Sequence, residues 1–204
     1  MMPMQLGSVL YSPKRWQLQR LAMFAVWHDD AAVDAVLDAT RLGRVLAGGW
    51  HVRLKFLRRW GHVVGLDAPN VADETNLDAP VVAVTVARMK LLQVPRFIRW
   101  GLPVERLVRD HPGTTFALAA MRPWRTISTF TVWNSAREML DMVHGNSADE
   151  RPGSAGGIDA PDRHAVAMVE RERKDFHREF TTLRFTCTRE VGEWEGRTRF
   201  VPMR

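Results

Sequence analysis

The chain has 204 residues, 46% of them hydrophobic and 25% charged, with a net charge of +6 and a pI near 10.4. That length and apolar fraction suit one packed domain or two small ones, and they exclude wholesale disorder and fibrous architecture. A lone cysteine, Cys187, excludes a disulfide framework, a thiolate zinc cluster and a c-type haem attachment motif.

No apolar run approaches the roughly 18–20 residues of a spanning helix. Met1–Leu10 lacks a charged start followed by a long apolar stretch, so no secretory signal is read. These features predict a soluble, cytoplasmic protein. The cations are mostly arginine, with lysine only at Lys14, Lys55, Lys90 and Lys174. They are scattered and form no block, which reads as a solvated surface.

In chain order, strands are predicted at Leu21–Trp27, Trp50–Leu57, Val81–Met89, Thr114–Met121, Thr126–Trp133 and Phe180–Thr188. Each is rich in β-branched or aromatic residues. In the second, Val52, Leu54 and Phe56 alternate with Arg53 and Lys55. A helix follows Asp29 and Asp30, with Val33, Val36 and Leu37 on one face, and runs to about Ala47 before Gly48-Gly49. Leu91–Asp110 reads as a helix broken by Pro95, Gly101 and Pro103. Another helix starts at a cap on Asn134 or Ser135, and His164–His177 reads as a charged helix entering the last strand. Between them, Gly145–Arg163 is rich in Gly, Ser, Pro and Asp and reads as a flexible surface loop. Polar Asp67–Ala79 is the expected boundary between two units, 14–66 and 80–197.

An internal repeat links the two units. Met23–Val36 aligns with Thr129–Met142 at an offset of 106, matching Phe24/Phe130, Val26/Val132 and Trp27/Trp133. Arg53–Gly65 aligns with Arg184–Gly196 at an offset of 131, matching Arg53/Arg184, Arg58/Arg189, Gly61/Gly192 and Gly65/Gly196. The second unit reads as a complete βαββαβ, the α+β order of a ferredoxin-like fold with two helices on one sheet face. The first holds only its strand-helix-strand end. The open sheet face calls for a second sheet, in tandem or in a homodimer, and the space between the helices and the sheet is expected to hold a large flat apolar ligand.

On the stretches Lys14–Asp29, Pro80–Val104, His111–Ser135, Arg163–Phe185 and Gly192–Gly196, the chain resembles the spheroidene monooxygenase-like group of the dimeric α/β-barrel superfamily. The resemblance implies a tandem pair of ferredoxin-like units and oxygen-dependent oxidation of a carotenoid-like substrate, with haem as cofactor. The group's N-terminal strand-helix-strand has no counterpart here, and the Gly145–Asp162 loop is longer than its usual link. By the same resemblance His164 is the axial ligand of the haem iron, oriented by Glu170 or a carbonyl. Arg88 and Arg122 are then available to the haem propionates.

Trp124, flanked by Arg122 and Arg125 in a turn, is a candidate substrate contact, against the plainer reading of a half-buried turn anchor. His144 reads as a helix C-terminal cation, His177 as a surface residue and His51 as structural. Trp27 and Trp133 read as core. Arg96–Trp100 with Trp16 and Arg59-Trp60 suggests a cationic aromatic surface for peripheral membrane contact. No Ser-His-Asp signature, phosphate loop, HExxH or paired-carboxylate spacing appears, and the last strand lacks the aromatic-Gly pattern of RNA-binding modules, so no nucleic-acid partner is expected. The competing functional classes are a non-catalytic carrier of haem or another apolar ligand, and an assembly subunit completed by a partner chain.

Overall fold

The computed structural model describes residues 1–8, 12, 15–66, 76–122, 125–144 and 175–202. Its elements are β1 (Met2–Met4), α1 (Asp30–Ala39), α2 (Arg41–Ala47), β2 (His51–His62), β3 (Val81–Met89), α3 (Val94–Asp110), β4 (Thr114–Arg122), β5 (Thr126–Trp133), α4 (Ala136–His144) and β6 (His177–Val191). The protein is α+β. The strands make one six-stranded sheet in the order β1-β4-β5-β3-β6-β2, and every neighbouring pair is antiparallel.

Strand periodicity explains how the sheet divides its side chains. β3 is central and apolar at nearly every position, so it feeds both faces. Val82 and Val84 join Phe116, Val132, Leu183 and Phe185 in one core cluster. Val81, with Ala83 beside it, packs instead with Trp133, Ala136, Met139 and Met142. That second cluster lies under the helices, since Leu107 and Val108 of α3 and Leu140 of α4 join it. Burying each such Val or Leu contributes about 1.5–3 kcal/mol.

The helices are specified locally. The carboxylate of Asp29 accepts from the Ala32 N–H to cap α1, and the Thr40 hydroxyl accepts from Gly43 N–H to cap α2. Thr40 therefore divides what reads in sequence as one helix. Ser135 caps α4: its hydroxyl accepts from the Glu138 N–H at 3.2 Å and donates to the Glu138 carboxylate at 3.1 Å. α3 runs unbroken, contrary to the sequence expectation. Pro95 falls in its first turn, where a missing N–H costs nothing, and Pro103 is carried inside the helix.

Two further expectations are corrected. Leu21–Trp27 forms no strand, and β1, a short edge partner of β4, was not foreseen. β6 begins three residues before Phe180, so His177 belongs to a strand and not to a helix. The expected loop at Gly145–Arg163 and the helix from His164 to residue 174 lie outside the described residues.

The register between β2 and β6 has a local two-fold symmetry. Arg53 faces Arg189 while Arg58 faces Arg184; Leu54 faces Cys187 while Phe56 faces Phe185; Lys55 faces Thr186. Adding 131 to one partner and subtracting it from the other turns each pair into its mate, with Lys55–Thr186 on the axis. The register shifts leave Leu57 and Thr188 unpaired, and these two residues are also mates. Gly61 and Gly192 take φ of 74° and 82°, and Gly65 and Gly196 take 77° and 73°. The segments aligned at that offset are thus antiparallel neighbours in one sheet.

Candidate functional site

The sheet face turned away from α3 and α4 is concave and aromatic. Trp50, just ahead of β2, then Val52, Leu54 and Phe56 of β2, Val86, Leu118 and Phe130 all sit there half-buried against the core. Trp50 reaches across to Phe116 at 4.6 Å and to Phe130 at 5.8 Å between ring centroids. The C-terminal segment closes one end, with Phe200 4.8 Å from Phe116 and 5.6 Å from Trp50. Glu190 latches that end: one carboxylate oxygen accepts from Trp50 Nε1 at 2.8 Å and Phe200 N–H at 2.9 Å, the other from Val201 N–H at 2.9 Å.

Arg88 and Arg122 meet at the other end of the sheet. Both lie opposite Thr126, on either side of β5, so strand pairing brings them within two strand spacings, about 10 Å. Alternation from Val82, Val84 and Val86, and from Phe116 and Leu118, puts both on the concave face. Arg122 is exposed. Arg88 is already engaged, paired with Glu179 at 3.0 Å and donating to the Val64 carbonyl at 2.8 Å.

His177 is buried, at 5% exposure, which overturns its reading as a surface residue. Its ring lies among Phe97, Phe176 and Phe180 at 5.2–5.9 Å. Asp175 Oδ1 lies 3.4 Å from His177 Nδ1 and accepts from its backbone N–H at 2.9 Å. This cluster also holds Ala87, Met89 and Trp100, so it sits on the helix face. Burial of this histidine was legible only in its neighbours, the Phe176 and Phe180 that bracket it in sequence. Phe97 and Trp100 pack against the same cluster, and Trp16 packs with Met4 and Leu6, so three rings of the expected aromatic surface are half-buried.

These positions bear on haem. His177 is enclosed by rings, and the sheet separates it from Arg88 and Arg122. His164, Glu170 and Trp124 lie outside the described residues. Among the described residues no cluster of three or more His, Cys, Asp or Glu side chains could hold a metal ion, and no helix is long and apolar enough to cross a membrane.

The two members of the repeat differ chemically. Arg53 is held by Asp30 at 3.2 Å and by Asp34 of α1, and its guanidinium holds the Asp34 carboxyl below the usual range. Its mate Arg184 stacks on Trp60 at 4.2 Å, with Arg58 on the same ring at 4.5 Å. Burial, and then the charge of Arg58, push the Arg184 pKa down. A concavity of about 560 Å³ lies beside Cys187, lined also by Pro80, Arg189, Glu190 and Val201. Burial pushes the Cys187 thiol up.

Trp133 is 1% exposed, as expected of core, but Trp27 is 37% exposed. Comparison with protein-family models, curated proteins and solved structures finds no match to this chain.

Proposed function

We propose that the protein binds a large apolar, carotenoid-like molecule on its concave sheet face, within a ferredoxin-like fold of the tandem α/β-barrel kind. The observation that carries this is the half-exposed aromatic floor of Trp50, Phe56, Phe130 and their neighbours, with Arg122 exposed at its rim to meet a polar end group. The fold reading is supported by the order β4-β5-β3-β6 with α3 and α4 as crossovers on one face, and by the two-fold register of β2 and β6. A monooxygenase activity would add haem held by His164. Its support is the resemblance in residues, so the proposal stops at ligand binding.

Titrating a detergent-dispersed polyene against tryptophan fluorescence tests the binding. Saturable quenching is expected, weakened at least tenfold, about 1.4 kcal/mol, in Leu118→Glu, which puts a charge on the floor. Absence of saturation, or equal binding by the variant, would sink the proposal. If the floor is covered by a second copy's sheet instead, the chain sediments as a dimer and Leu118→Glu makes it a monomer. Adding haem and recording the visible spectrum tests the oxygenase extension: a Soret band lost in His164→Ala supports it.

A further inference from the structure

We infer that Arg58 and Arg184, gathered on the ring of Trp60, bind a phosphomonoester dianion. The site stands apart from the aromatic floor. Arg184 lies between Leu183 and Phe185, which belong to the concave-face core, so alternation turns it to the opposite face. Arg58 is its direct partner between β2 and β6, and Trp60, two residues on, shares that face opposite Thr182. The Arg58 and Arg184 guanidiniums lie 4.5 and 4.2 Å from the Trp60 ring centroid.

Like charges directly opposite one another in a sheet are destabilising. β2 and β6 nevertheless make two such pairs, Arg53 with Arg189 and Arg58 with Arg184, and the two are related by the local two-fold. At the first pair α1 brings two carboxylates: Asp30 and Asp34 both bind Arg53, and the charge of Arg189 also acts on Asp34. At the second, among the described residues, no carboxylate pairs with either arginine. The repeat shows why. At its offset of 106, Asp30 and Asp34 of α1 correspond to Ala136 and Leu140 of α4, so the second helix has no acids at these places.

The first pair therefore shows what the second lacks, which is two negative charges. Arg184 is uncompensated in other ways too. Its Nε is buried with no hydrogen-bond partner, and burial, then the charge of Arg58, push its pKa down. The Trp60 ring attracts the guanidiniums through their faces but accepts none of the N–H donors in their planes. A phosphomonoester supplies both needs: three acceptor oxygens for charge-assisted bonds, and a charge near −2 above its second pKa of about 6. A single carboxylate would neutralise only one of the two cations. Arg58 is exposed, so a ligand reaches the pair from solvent.

Phenyl phosphate in solution and vesicles containing phosphatidic acid are the two probes, because a free phosphomonoester and a lipid headgroup offer the same group. Calorimetry on the full chain reads the first and co-sedimentation the second. Saturable binding is expected in at least one arm, and that arm names the source. It should weaken about tenfold or more in Arg184→Gln and in Arg58→Gln, the second being an exposed position that leaves the core intact. Arg44→Gln, which removes an exposed cation of α2, should leave the affinity unchanged. Phenyl phosphate should also bind more weakly at about pH 5, where it carries a single charge. No saturation in either arm, equal weakening by Arg44→Gln, or equal affinity for phenyl phosphate at the lower pH would overturn the inference.

Discussion

The rings of Trp50 and Phe116 lie 4.6 Å apart, although β6, β3 and β5 stand between their strands in the sheet. In a flat sheet four strand spacings would separate them by about 19 Å. The sheet is therefore rolled, and Trp50 closes the roll. Trp50→Ala is expected to lower stability by about 3 kcal/mol, the lower end for truncating a tryptophan in a core because this ring keeps some exposure. Urea denaturation measures it, and an unchanged midpoint would mean the roll is held elsewhere.

Glu190 holds that closure by accepting three N–H donors, from Trp50, Phe200 and Val201. Glu190→Ala leaves them without their acceptor, at a cost of about 1–3 kcal/mol. The same variant should loosen the C-terminal segment, seen as faster exchange of the Phe200 and Val201 amides. Slow exchange in the variant would assign the hold to Phe200 packing alone.

Arg15 is 4% exposed and forks onto Glu105 of α3 at 2.9 and 3.0 Å. Glu105→Ala strands a buried guanidinium, and a loss of about 3–5 kcal/mol is expected. A double-mutant cycle with Arg15→Ala should recover part of it, since removing both charges leaves none uncompensated. Additive losses would show that the two residues act independently.

Gly61 and Gly192 offer a test of the two-fold symmetry. Both have positive φ, and a Cβ would strike the Phe180 carbonyl at one and the Gly49 carbonyl at the other. Gly65 and Gly196 share the left-handed conformation but have open space around them. Alanine at Gly61 or Gly192 should cost more than the roughly 1 kcal/mol of φ strain expected at Gly65 or Gly196. Equal costs at all four would show that the close strand approach is absent.

The half-buried thiol of Cys187 has a pKa above the ordinary value, with desolvation as the main cause. Alkylation by iodoacetamide should therefore reach half its maximal rate at a higher pH in the native chain than in the urea-unfolded one. For stability the sign follows: the protonated thiol is favoured in the folded state, so its contribution is present below the unfolded thiol pKa and fades as pH rises through the folded one. Matching midpoints in the two states would contradict the burial.

Much of the fold is legible in single residues. Val81–Met89 and Thr126–Trp133 have the same bounds in sequence reading and in structure, because their apolar runs have no rival helical periodicity. Ser135 announces α4 through its own cap. The candidate site was less legible. Arg88 and Arg122 are far apart in the chain, and only the common partner Thr126 shows that they share one rim. His177 stands among charged neighbours, with only Phe176 and Phe180 hinting at burial, and Phe97 of α3 packing on it completes its enclosure.

Phe24, Val26 and Trp27 show where sequence stops determining. They match Phe130, Val132 and Trp133 residue for residue, yet only the latter form a strand. By itself the sequence determined the periodicities, the caps at Asp29 and Ser135, and the repeat whose offset reappears in the β2–β6 register. Only the tertiary structure decided which copy becomes β-sheet. A helix satisfies its own backbone, but a strand has its hydrogen bonds supplied by a neighbour, and β3 stands beside Thr126–Trp133 alone.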